Sequence, residues 1–171
     1  MEDLKEYTCT FLGHRNTERT DELYKKVYST AEKLITENGV KVFLFGSASR
    51  FNKLCYDAVT VLKEKYPHIK RIYVRGEFPH ISESYHNKLL LKYEETYYPE
   101  KIINSGRAVY IKRNYEMVEK SRFLICFYDE NYLPPMKKSG KSDVFPYQPK
   151  SGTALAFSYA KKKGLVIFNM F

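Results

Sequence analysis

The sequence predicts a doubly wound α/β fold, a mostly parallel sheet with helices on both faces, as one domain over residues 1–171. Three observations predict it. Short apolar runs alternate with segments of helical spacing along most of the chain, the pattern of successive βαβ units. Runs such as 40–45 (VKVFLF) and 123–128 (FLICFY) are almost continuously apolar, as strands buried on both faces are. Small residues stand where helices begin, at Gly46-Ser47-Ala48-Ser49 and again at Ser151-Gly152-Thr153.

Residues 7–12 (YTCTFL) read as the first strand, ending in Gly13-His14-Arg15. Thr20 or Asp21 caps a helix whose inner face carries Leu23, Val27, Ala31, Leu34 and Ile35, and Asn38-Gly39 stops it. The second strand, 40–45, runs into Gly46, after which Phe51, Leu54, Cys55, Ala58, Val59 and Leu62 recur at helical spacing; Pro67 ends that region. Residues 70–74 (KRIYV) form a third strand, followed by Arg75-Gly76-Glu77. Residues 76–107 read as a long irregular insertion, with a helix near 85–93 and a tyrosine-rich loop. The apolar stretch 108–111 reads as a short strand, and 112–121 as a helix with Tyr115, Met117 and Val118 inward. After the strand 123–128, residues 129–150 are polar and carry Pro134, Pro135, Pro146 and Pro149, an excursion without helix or strand signal. Ser151-Gly152-Thr153 opens a helix running through Lys163, Gly164 ends it, and 165–170 (LVIFNM) is the last strand.

Composition narrows the function classes. No apolar run reaches the length of a membrane helix, and the charged N-terminus leads into a strand rather than a signal peptide, so a cytoplasmic protein with no membrane partner is expected. The three cysteines, Cys9, Cys55 and Cys126, each lie in an apolar run and form no CxxC pair, which reads as buried free thiols; no metal site and no cofactor is expected. The net charge of +9 favours anionic partners, but the lysines are dispersed, and a phosphate-bearing small molecule satisfies the charge as well as nucleic acid does. The run Lys161-Lys162-Lys163 complements a helix C-terminus.

Ligands of doubly wound sheets bind beyond the carboxyl ends of the strands, at the point where strand order reverses. Gly13-His14-Arg15, Gly46–Arg50 and Ser151-Gly152-Thr153 are expected to meet there, and helix N-termini with free N–H groups suit phosphate. The same small residues are also what a plain strand-to-helix turn needs. There is no GxGxxG after a strand, no GxxxxGK[ST] and no GxSxG, so an ordinary dinucleotide site, a P-loop and a hydrolase elbow are unsupported.

Taken in order, TFLGHR, VFLFGSAS, YIKRNYEMVEKSRFLICFYD and SGTALAFSYAKKKGLVIFNM resemble the SLOG superfamily. That group joins the Lonely Guy phosphoribohydrolases, the Smf/DprA DNA-processing proteins and small YpsA-like proteins, and the chain is most similar to the YpsA-like branch. The resemblance covers most of the chain outside 76–107 and 129–150. It implies a Rossmann-like sheet with a nucleotide-like ligand over the strand ends. By position, Gly46, Ser47 and Ser49, with Arg50 beside them, would line the first phosphate turn. Ser151, Gly152 and Thr153 would form the second. Arg113 and Asn114 would contact phosphate and base or ribose. Gly13, His14 and Arg15 would form the first turn after a strand.

The family's hydrolases carry a catalytic Glu closely after a PGGxGT turn. Here KSGT is followed by Ala154, Leu155 and Ala156, so that carboxylate is missing. Glu77, Glu116 and Asp129 are the substitutes nearby; each also reads as an ordinary capping or surface charge. No catalytic residue is assigned, Glu77 being the candidate to replace the missing carboxylate. The leading expectation is a binding module that senses or sequesters a nucleotide-derived small molecule, such as an ADP-ribose-type or cyclic nucleotide signal, with a stress or phage-defence role by analogy. The alternatives are N-glycosidic hydrolysis of nucleoside monophosphates and single-stranded DNA binding. Homo-oligomers are common in the family and are an expectation here as well.

Overall fold

A computed structural model describes residues 3–46, 48–136 and 151–171. The chain runs β1 (Thr8–Gly13), α1 (Asp21–Asn38), β2 (Val42–Phe45), α2 (Arg50–Lys65), β3 (Lys70–Val74), α3 (Glu83–Leu90), β4 (Glu95–Tyr97), α4 (Val109–Glu119), β5 (Phe123–Phe127), α5 (Gly152–Lys162) and β6 (Val166–Asn169). The sheet has six strands in the order β4-β3-β2-β1-β5-β6, and every neighbouring pair is parallel. From β1 the chain steps outward through β2 and β3 to β4, then returns across the sheet to β5 on the other side of β1. This is a Rossmann-like doubly wound fold whose order reverses between β1 and β5.

The two sheet faces bury separate cores. One joins Cys9, Phe11, Phe43 and Phe45 of the strands to the apolar stripes of α1 and α2. The other sets Leu12, Leu124 and Cys126 against Val118 of α4 and Ala156 and Ala160 of α5. Adjacent residues of one strand thus point into different cores, which is why the strands lack an apolar–polar alternation. Local signals bound the helices. The Thr20 hydroxyl accepts from Leu23 N–H, Ser49 caps α2 and Ser151 caps α5 in the same way, and Gly39 ends α1 in a left-handed conformation at φ 69°.

The structure corrects the sequence reading in two places. Residues 106–108 form a 3₁₀ turn and 109–111 the first turn of α4, not a strand. Four apolar residues carry no periodicity of their own, whereas Val109, Arg113, Glu116 and Met117 continue one helical face. The insertion 76–107 also supplies a strand, β4, paired on β3 and tied by the Thr96 hydroxyl donating to the Tyr73 carbonyl at 2.9 Å. Of the excursion 129–150, residues 137–150 lie outside the described residues.

Cys9, Cys55 and Cys126 are free and fully buried. Burial pushes all three thiols up, Cys126 to about 12. None should react with a water-soluble disulfide reagent until the protein unfolds; release of a thiolate chromophore from the native protein within minutes would contradict this packing.

At the β3–β4 edge, Glu94 accepts from Arg71 through the backbone N–H (2.6 Å), Nε (3.2 Å) and Nη2 (2.8 Å). Burial works to raise the Glu94 pKa, but the Arg71 hydrogen bonds and charge outweigh it and hold the carboxyl below its ordinary value of 4.5. A depressed carboxylate stabilises fully above the unfolded-state pKa and loses that contribution as pH falls through the folded-state pKa. Glu94→Gln should therefore weaken the fold at neutral pH yet flatten the loss of stability below about pH 4.5, measured by denaturant titration.

Candidate functional site

At the carboxyl ends of the strands the turns after β1 and β2 meet the N-terminus of α5 and the flank of α4. They enclose an open cavity of about 520 Å³ beside the β1/β5 reversal point. Gly13, His14 and Arg15 line it from β1, and Gly46 and Ser49 from β2 and the start of α2. Ser151, Gly152 and Thr153 line it from α5, Arg113 and Asn114 from α4, and Glu77 from the segment after β3.

Two of these glycines, Gly46 and Gly13, are required by space, whereas a Cβ on Gly152 would meet nothing within 4 Å. A Cβ on Gly46 would stand 2.6 Å from Met117 Sδ and 3.0 Å from Arg113 Cδ and Nε. Gly46 therefore serves through close approach; it is not among the glycines with positive φ. A Cβ on Gly13 would lie 2.3 Å from Cδ1 of the buried Phe51.

Two helix N-termini open on the cavity, differently committed. In α2 the Ser49 hydroxyl accepts from Asn52 N–H (3.1 Å), and Arg50 N–H donates to the Arg15 carbonyl (3.0 Å), fastening the first two turns together. In α5 the Ser151 hydroxyl accepts from Ala154 N–H (3.3 Å). The N–H groups of Gly152 and Thr153 precede any intrahelical acceptor and, among the described residues, have no acceptor at the positive end of the helix dipole.

Arg113 projects from α4 beneath these turns and is only 5% exposed. Its Nε donates to Asn114 Oδ1 at 3.3 Å, and its guanidinium lies 5.5 Å from the Tyr110 ring centre. Among the described residues no carboxylate stands within ion-pair distance of it. Burial lowers its pKa, while Tyr73, Tyr110 and Glu77 pull the other way. A buried cation without a counter-charge is costly, and an anion in the cavity would relieve it.

His14 closes the reversal point. Its backbone N–H donates to the Phe127 carbonyl (3.3 Å), and its Nε2 accepts from Asp129 N–H (2.9 Å), bridging β1 and the segment after β5. An N–H donor on Nε2 requires that nitrogen to be unprotonated, which places the imidazole proton on Nδ1, buried without a partner among the described residues. Burial lowers the His14 pKa, and the Asp129 carboxylate opposes this. The ring packs against Tyr132 at 4.2 Å between centroids.

Not every expected residue joins the site. Arg50 is exposed and does not line the cavity, because its position as first residue of α2 turns it to the helix flank; it contributes its backbone N–H alone. Ser47 lies outside the described residues. Glu116 is buried on α4 and pairs with Lys101 (3.7 Å) and Lys120 (3.2 Å), away from the cavity. Asp129 accepts from Asn131 N–H in its own turn. Three wall residues, Tyr73, Tyr110 and Tyr132, went unread in the sequence. Sixteen tyrosines give no local cue to which of them converge. Among the described residues no cluster of metal-ligating side chains occurs, and no helix is long and apolar enough to cross a membrane.

Fold and cavity together define a Rossmann-like protein with a cation-bearing cleft at its reversal point. No protein-family model matches the chain and no curated protein matches it.

Proposed function

We propose that the protein binds a nucleotide-derived, phosphate-bearing small molecule in this cavity, as a sensing or sequestering module. One observation carries the reading: Arg113 is buried without a carboxylate partner among the described residues, beside the N–H groups that open α5. A phosphate accepts bidentate hydrogen bonds from a guanidinium and charge-assisted bonds from helix N–H groups. The resemblance to the SLOG superfamily, and to its YpsA-like branch, points to the same ligand class, an ADP-ribose-type or cyclic nucleotide among them. The test is mass spectrometry of small molecules carried through purification, with calorimetric titration of AMP and ADP-ribose. A phosphate-containing ligand is expected. Absence of any such ligand, with no heat from either titrant, would defeat the reading.

Glu77 favours a second reading, cleavage of the N-glycosidic bond of nucleoside monophosphates, because it places a carboxylate on the cavity wall. That reading requires release of free base from a nucleoside monophosphate, and loss of the release in Glu77→Gln. Single-stranded DNA binding has less support, since Lys53, Lys63, Lys65, Lys70, Lys101 and Lys120 each engage a carboxylate on different parts of the surface.

A further inference from the structure

A second pocket, of about 380 Å³, lies beside the first and shares Ala48 and Ser49 with it. Its character is different. Phe45, Tyr56 and Tyr93 form apolar walls, packed on one another with ring centres 5.1 to 6.1 Å apart. A further ring contact links the two spaces: Tyr73, on the wall of the larger cavity, stacks on Tyr93 of the smaller at 5.2 Å.

Ser49, Lys53 and Lys92 also line it, but the group with an unused buried polar atom is Asn52. It is 3% exposed, and its Nδ2 donates to Ser49 Oγ at 3.2 Å, while its Oδ1 is buried with no hydrogen-bond partner among the described residues. An unused acceptor in an apolar setting is unfavourable. The capping of α2 does not explain it, because the cap uses the Asn52 backbone N–H. The last torsion of an asparagine is soft, so the carboxamide can turn to meet a donor entering the pocket.

We propose that this pocket receives the base of the nucleotide, an adenine whose exocyclic amine donates to Asn52. The inference rests on the reading that the larger cavity takes the phosphate. Ala48 and Ser49 are the shared wall across which the sugar passes. The walls supply aromatic surface for a planar ring, and with Nδ2 committed to Ser49 Oγ the carboxamide offers its oxygen, to which the 6-amine of adenine can donate and the oxygen at the same position of hypoxanthine cannot.

Photolabelling of the full chain with 2-azido-AMP, followed by peptide mapping, tests the placement. Label is expected on Tyr56, Tyr93 or the neighbouring Lys92, suppressed by excess AMP. Label on Tyr110 or Tyr132 would overturn the inference by putting the base in the larger cavity. Calorimetry supplies the independent arm. AMP is expected to bind about tenfold more tightly than IMP, and Asn52→Ala to remove that preference, as loss of one hydrogen bond implies. A thermal melt of Asn52→Ala checks that the variant folds; if it does not, the labelling pattern and the AMP/IMP ratio of the native protein decide. Equal affinities for AMP, IMP and ribose 5-phosphate would end the inference about the base and leave the phosphate site standing. Failure of all three to bind, with no AMP-suppressible label, would end both.

Discussion

Replacing Arg113 with methionine is expected to cut affinity for a phosphate-bearing ligand by roughly 10- to 100-fold while leaving the fold as stable as before or more so. The affinity loss follows from removing charge-assisted hydrogen bonds, each contributing about 1.5–3 kcal/mol. The stability result follows from burial. Arg113 is 5% exposed, its pKa is lowered chiefly by desolvation, and among the described residues its one side-chain hydrogen bond goes to the adjacent Asn114. Methionine keeps an unbranched stem of similar shape against Gly46 and Gly76 and removes the stranded charge. Loss of function with unchanged or raised Tm is the behaviour of a residue kept for binding at the expense of stability. Calorimetric titration beside a thermal melt measures both. A variant that melts several degrees lower and binds AMP as before would show that Arg113 is a structural strut.

Gly13→Ala should produce the largest loss of stability among single substitutions around the cavity. The added methyl would sit 2.3, 2.5 and 2.7 Å from Cδ1, Cγ and Cβ of Phe51. Phe51 cannot yield, being fully buried at the start of α2 with its ring 6.0 Å from that of Phe127. Overpacking of this kind costs about 1–3 kcal/mol, and each kcal/mol lowers Tm by about 2–4 °C in a chain of this size. The double variant Gly13→Ala/Phe51→Leu should recover part of the loss if the clash is its origin. An alanine variant with an unshifted melting curve would refute the account. The contrast with Gly46 is instructive. There the nearest atom is the end of Met117, a flexible side chain, so alanine at Gly46 is expected to disturb Arg113 more than the fold.

How far the sequence anticipated this arrangement depends on how local each signal was. Thr20, Ser49, Ser151 and Gly39 act within a turn of their own position, and each helix end they foretold is present. Buried strands announce themselves by composition, so β1, β2, β3 and β5 were legible. β4 was not, because three residues carry no period and its existence depends on pairing with β3. The start of α4 was misread for the same reason. Within the site, residues on strand-to-helix turns were readable because topology sends those turns to one edge. The tyrosines were not, since Tyr73, Tyr110 and Tyr132 reach the cavity from three separated segments. The unpaired oxygen of Asn52 is legible only in three dimensions, because it is defined by a missing neighbour.

The central strand has a kinetic consequence. β1 sits between β2 and β5, and the hydrogen bond from Asp129 to His14 spans 115 positions of the chain. During synthesis β1 acquires β2 as its first neighbour early, but its opposite edge stays unsatisfied until β5, more than a hundred residues later, has emerged. An exposed edge is a template for association with another nascent chain, so crowded ribosomes are expected to favour aggregation over slow, long-range closure.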